Sequence, residues 1–230
     1  MKIIREMKKK ERQKMKKPNI FICGSSGTGK STSLRNLDPT KTIILNVEQK
    51  QLPFKAAAKF TRQAMIANFD SFKKFFKDAI KKEDADVVVI ESFTSLCEMI
   101  MSKARAIKTG YDIFGWYNDQ VWEIIQASKT ADNYVVFLGL DQSEQTDGGV
   151  SWRFIKVEGQ KLKGTIEKEF VMTLFTVPTT DDKGDTSYNF VTKGDIARSA
   201  KSPMEMLPDR MSNDLAEVIK LSEQYYNGVE

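Results

Sequence analysis

The apolar positions of this chain gather into short continuous runs, separated by segments with a helical spacing of apolar and charged residues. "NIFIC" (19–23), "KTIILNV" (41–47), "DVVVIES" (86–92) and "NYVVFLGL" (133–140) are rich in β-branched and aromatic residues. Such runs predict strands buried on both faces. "QAMIANF" (63–69) predicts a further strand. Between them, 30–37 reads as a helix stopped by Asp38 and Pro39. "SFKKFFKDAIKK" (71–82) places Phe72, Phe75, Phe76, Ala79 and Ile80 on one helical face, with lysines opposite. Helices are also predicted over 93–107 and 116–129, separated by "KTGYDIFG". This alternation predicts an α/β fold, with a mostly parallel sheet flanked by helices.

The character changes at 141. "DQSEQTDGG" reads as a polar loop, and "WRFIKVEG", "KLKGTIEKE", "FVMTLFTV" and "SYNFVTKG" predict shorter strands of an antiparallel extension toward the C-terminus. The turn "DDKGD" (181–185) separates the last two. A final helix begins near Asp214, with Glu217 placed for a capping box, and stops before Gly228.

Composition narrows the chemistry. The 230 residues, 40% hydrophobic and 29% charged, suit one globular domain over 18–230 behind a distinct arm at 1–17. The net charge of +5 belongs to that arm: it holds nine Lys/Arg and two Glu, and the remainder carries 27 basic and 29 acidic residues. The arm suits nucleic acid or an acidic partner, and equally a solvated tail. Histidine is absent, and the only cysteines are Cys23 and Cys97, which argues against a zinc site or a disulfide framework. The usual general base is gone too, so chemistry must rest on carboxylates, lysine, hydroxyls or a hard metal. No apolar run reaches the roughly 18–20 residues of a membrane helix, and the N-terminus shows no signal-type segment. A cytoplasmic protein without a membrane partner is expected.

The stretch "GSSGTGKST" (24–32) carries the strongest signal. Gly24, Gly29, Lys30 and Ser31 match G-x-x-x-x-G-K-[ST] between a predicted strand and a predicted helix. Glycines let successive backbone N–H groups of Ser25, Ser26, Gly27, Thr28 and Thr32 turn around an anion, and a following helix adds its positive end. Lys30 is then expected on the β- and γ-phosphates, and Ser31 on Mg²⁺. Glu91, ending the "VVVIE" strand, is the candidate second metal residue. With no histidine, a carboxylate must orient or deprotonate the attacking water, and Glu48 in "IILNVEQ" is the candidate. Asp141 or Gln142, after "VVFLGL", is placed to sense the γ-phosphate. No N-K-x-D segment occurs, which argues against a Ras-type GTPase, and no arginine-rich lid points to a small-molecule kinase.

With these parts in place, "VVVIESFTSL" resembles the metal-binding strand of RecA-type ATPases, and Glu48 falls where that family keeps its catalytic glutamate. The resemblance covers residues 19 to about 142. Beyond it, "SYNFVTKGD…AKSPMEMLPDRMSNDLAEVI" (187–219) resembles a phage-encoded group of small RecA-core P-loop ATPases, usually described as AAA-type nucleotide-binding proteins. Some of these belong to the Sak group of single-strand annealing or recombination proteins. The resemblance implies a RecA-like core, ATP with Mg²⁺, a ring or filament of identical subunits, single-stranded DNA as partner and, for a phage protein, the host cytoplasm. It also implies two DNA-facing loops, here 108–118 and 142–153. The first offers Lys108, Tyr111, Phe114, Trp116 and Tyr117 for stacking and phosphate pairing, while inward packing of Trp116 and Tyr117 stays open. The second has Trp152 and Arg153, opposed by Glu144 and Asp147. In such assemblies a basic residue enters the site from the neighbour, and Arg153, Lys161, Lys163, Arg198 and Lys201 are the candidates.

Overall fold

The computed structural model describes residues 17–146 and 148–228. The basic arm, apart from Lys17, and Asp147 lie outside the described residues. Ten strands are described. Eight form one sheet: β1 (Ile20–Cys23), β2 (Thr42–Asn46), β3 (Gln63–Met65), β4 (Val87–Glu91), β5 (Tyr134–Gly139), β8 (Met172–Thr180), β9 (Thr186–Val191) and β10 (Arg210–Ser212). Their order is β10-β9-β8-β1-β5-β4-β2-β3. From β8 to β3 every pairing is parallel, and β9 and β10 add the antiparallel extension. The α/β class with a mostly parallel sheet is as expected. The remaining strands, β6 (Asp141–Gln145) and β7 (Ser151–Ile155), form a separate hairpin.

Alternation along the central strands builds two cores, one on each face of the sheet. Phe21 and Cys23 of β1, Ile90 of β4 and Val135 and Phe137 of β5 face one side. Ile20 and Ile22, Val87 and Val89, and Tyr134, Val136 and Leu138 face the other. The first side is covered by α1 (Phe69–Ala79), α2 (Phe93–Ile107) and α3 (Asp112–Thr130), and the second in part by α4 (Leu215–Asn227). No helix among the described residues is long and apolar enough to cross a membrane.

Four local expectations are corrected. Residues 30–37 make only a 3₁₀ helix over Ser31–Leu34 instead of an α-helix. One of its hydroxyls competes for a backbone acceptor: Ser33 Oγ donates to the Lys30 carbonyl at 2.6 Å. "DQSEQTDGG" is not all loop, because β6 pairs with β7 although its side chains are polar. "KLKGTIEKE" is not a strand but turns and a 3₁₀ helix, Ile166–Glu169, after Gly164 at φ +64°. "FVMTLFTV" supplies β8, which pairs antiparallel with β9 as expected and, through its buried first residues, also in parallel with β1. At the last helix Asp214 caps the Ala216 N–H, while Glu217 turns to Lys220.

The helix expected from 116 begins at Asp112 instead, which shortens the first proposed DNA loop to 108–111. Tyr117 is fully buried, its hydroxyl accepting from the Glu158 N–H, and Trp116 meets the Phe69 ring edge-on at 5.9 Å. Inward packing holds for both. Tyr111 stays almost fully exposed.

Phe137 joins the rings of Phe93 and Phe170 at 5.6 and 5.4 Å beneath β1. Phe137→Ala is expected to cost about 3–5 kcal/mol through lost burial and the cavity left behind. Urea unfolding followed by circular dichroism measures it.

Candidate active site

The parallel order brings the carboxyl ends of β1, β2 and β4 to one edge of the sheet, with β5 between β1 and β4. Residues 24–32 leave β1 at that edge. Two constraints explain the glycines here. A Cβ at Gly24 would lie 2.2 Å from Thr176 Oγ1, so only glycine lets the loop pass β8 this closely. Gly29 sits at φ +94°, with Tyr188 and Asn213 against it. The loop is tied down from several elements. The Gly24 N–H donates to the Gly139 carbonyl at 3.3 Å, and Asn213 Nδ2 to the Gly29 carbonyl at 2.7 Å. Thr28 and Thr176 share a hydroxyl bond of 2.6 Å.

Lys30 folds over this loop, its Nζ donating to the carbonyls of Gly24 and Ser25, both at 2.8 Å. Burial lowers its pKa, against the nearby Glu91, Asp141 and Glu48, which favour the ammonium. The brevity of the 3₁₀ helix changes one expectation: so short an element has little dipole to offer. An anion at this loop would therefore be held by Lys30 and the loop backbone.

Ser31 Oγ donates to Glu91 Oε1 at 2.9 Å. Glu91 is 8% exposed, and its Oε2 is buried with no partner. Burial pushes this carboxyl up to about 7, with Glu48 adding to the rise. A buried carboxylate with one orphaned oxygen, beside a hydroxyl, fits a hard divalent cation such as Mg²⁺. Glu48 stands alongside because the Val47 and Glu48 N–H groups both donate to the Glu91 carbonyl. Its carboxylate is partly exposed and pairs with Lys50 at 3.2 Å, which leaves it in reach of water.

The structure thus brings together the loop 24–32, Glu91 and Glu48. Gln142 stands apart: it lies opposite Phe154 in the β6–β7 register, one residue out of phase with Asp141, and its Nε2 is buried without a partner. Asp141 is the residue that touches the loop, accepting from Ser25 Oγ at 2.8 Å. Sequence reasoning missed Thr176 and Asn213, which meet the loop from far along the chain and carry no local motif. The sequence offers Arg153 as a residue of the second DNA-facing loop and as one for a neighbouring subunit, yet it lies 2.6 Å from Asp141 and 3.2 Å from Ser25 within its own chain. Among the other basic candidates, Lys163 pairs with Glu144 and Arg198 with Asp195, also within the chain.

A family model described as an AAA domain matches residues 16–201, most of the chain. No curated protein matches it.

The raised pKa of Glu91 has a consequence for stability. Between about 4.5 and about 7 the folded chain keeps a proton on Glu91 that the unfolded chain has released. Stability therefore falls as pH rises through that window and levels above it, by an amount on the order of 3 kcal/mol. Glu91→Gln is expected to remove this share of the slope. Melting curves of both proteins from pH 4.5 to 8 in metal-free buffer check it, since their difference cancels the other titrating groups.

Proposed function

The chain belongs to the AAA-domain family, a P-loop nucleotide-binding ATPase fold, and from that premise we propose that it is a Mg²⁺-dependent ATPase working with single-stranded DNA in recombination, annealing or replication. The observation that carries the ATPase part is the union of Lys30, Ser31, Glu91 and Glu48 at one sheet edge. Lys30 neutralises phosphate charge from within the loop and holds the substrate against it. Ser31 and Glu91 would hold Mg²⁺, which when bound withdraws charge from the phosphate oxygens. Glu48 is the group placed to orient water and take its proton, and its partial exposure leaves a route for that proton to leave.

Support for the DNA part is the charge of the N-terminal arm and, near the start of α3, the exposed Tyr111 with Lys108 before it. A base stacks on an exposed tyrosine and a phosphate pairs with lysine. Assembly of identical subunits into a ring or filament belongs to the same reading. Slow hydrolysis that merely gates DNA or protein binding, or a helicase-loading or packaging motor, would use the same four residues.

ATP hydrolysis at fixed salt, with and without single-stranded DNA, tests the proposal. Stimulation by single strands and much less by duplex is the expected result. Lys30→Ala should abolish turnover, and Glu48→Gln should bind ATP yet hydrolyse it at least a hundredfold more slowly. Turnover that ignores DNA but needs Lys30 would favour a protein-coupled motor; an unchanged rate in Lys30→Ala would sink the ATPase assignment.

A further inference from the structure

We propose that Arg153 serves the phosphate loop of its own chain: it reaches from β7 to the terminal phosphate of a bound nucleoside triphosphate, and Asp141 holds it aside until that phosphate arrives. The proposal rests on the nucleotide-site reading above and adds a residue that discriminates triphosphate from diphosphate.

Three side chains form a closed set. Ser25 Oγ donates to Asp141 Oδ1 at 2.8 Å, and Arg153 Nη1 donates to Asp141 Oδ2 at 2.6 Å and to Ser25 Oγ at 3.2 Å. Ser25 is a residue of the loop itself, and its carbonyl is one of the two that Lys30 Nζ grips. The guanidinium and the ammonium thus meet the same loop residue, one through its side chain and the other through its backbone. Register accounts for the approach from β7: Arg153 stands opposite Ser143, in phase with Asp141, on one face of the hairpin.

The arginine is also aimed by its backbone. Its N–H donates to the Ala197 carbonyl at 2.8 Å, and its carbonyl accepts from the Ser199 N–H at 3.1 Å. With β6 on one side and 197–199 on the other, the backbone cannot rotate to carry Arg153 to the opposite face of the hairpin. The two partners differ in exposure, and that difference supplies the switch. The Asp141 side chain is 4% exposed, whereas that of Arg153 is 40% exposed. The aspartate is fixed; the arginine keeps an open side. Both bonds use a single nitrogen of a group with five N–H donors.

Charge sets the order of events. Asp141 beside the loop would repel an approaching phosphate, and Arg153, paired with it, offsets that repulsion as the phosphate enters. A terminal phosphate carries more charge than one carboxylate and offers several oxygens to a forked donor, so it competes for the guanidinium. A diphosphate lacks that group and leaves the Arg153–Asp141 pair in place.

The test compares Mg²⁺-ADP with the Mg²⁺ complex of a non-hydrolysable ATP analogue, by calorimetry, for the wild type, Arg153→Ala, Arg153→Lys and Asp141→Asn. Arg153→Ala should weaken the analogue tenfold or more and ADP less than about threefold, and should cut ATP turnover a hundredfold or more. Arg153→Lys should retain part of the discrimination, and Asp141→Asn should tighten the analogue relative to ADP. Equal loss for both nucleotides in Arg153→Lys, or no change in Arg153→Ala, overturns the proposal. A mixture of Arg153→Ala with Lys30→Ala decides whose loop is served. Every loop in that mixture lacks one of its own residues, so turnover should stay lost, and recovery would mean that Arg153 acts on a neighbour. A wild type that binds neither nucleotide would bring down the nucleotide-site reading itself.

Discussion

Glu91 ends β4 almost sealed from solvent, with one carboxylate oxygen held by Ser31 and the other facing no donor. Burying a carboxylate this way costs free energy, and a chain selected for stability alone would place an apolar residue or an amide there. The arrangement makes sense when a cation completes it. Much of the surrounding fold converges on the same point: β1 enters the sheet beside β5, so residues 24–32 emerge within reach of β4, and the turn after β2 is bonded to the Glu91 carbonyl. Strand order thereby gathers the loop 24–32, Ser31, Glu91 and Glu48 at one place, with no long loop needed to bring them together.

The loop itself is crowded, and crowding is what fixes it. Gly24 lies against Thr176 of β8, Gly29 against Tyr188 of β9 and Asn213 ahead of α4, and Ser25 against the β6–β7 hairpin. The C-terminal half of the chain is therefore part of the site, though it holds none of the phosphate-loop residues. The separation of β8 from β1 by most of the chain explains why no local pattern announces it.

The parts readable in the sequence were those whose physics is local. Apolar runs marked β1, β2, β4 and β5 because both faces of those strands are buried, and the spacing of Gly24, Gly29, Lys30 and Ser31 marked the loop because backbone geometry demands it. Glu91 followed as the last residue of β4, and Glu48 as a carboxylate just past the end of β2. What escaped depended on pairing at a distance. The polar β6 looks like a loop until β7 pairs with it, and β8, antiparallel to β9, gives no local sign of its parallel pairing with β1. Residues 31–34 form a short 3₁₀ helix, with the Ser33 hydroxyl bonded back to the Lys30 carbonyl, in place of the expected α-helix, an outcome that apolar periodicity does not report. Aromatic residues in 108–118 suggested a stacking surface, but Tyr117 and Trp116 lie where α3 packs them inward.

The central claim is that Ser31 and Glu91 form a cation site joined to the phosphate loop. Equilibrium titration of the chain with ATP, in excess chelator and again in Mg²⁺, addresses it most directly. One ATP per chain, bound at least tenfold more tightly with Mg²⁺ than without and losing that gain in Glu91→Ala, is the expected result. ATP bound equally well in chelator, or a Mg²⁺ effect that survives Glu91→Ala, would contradict it.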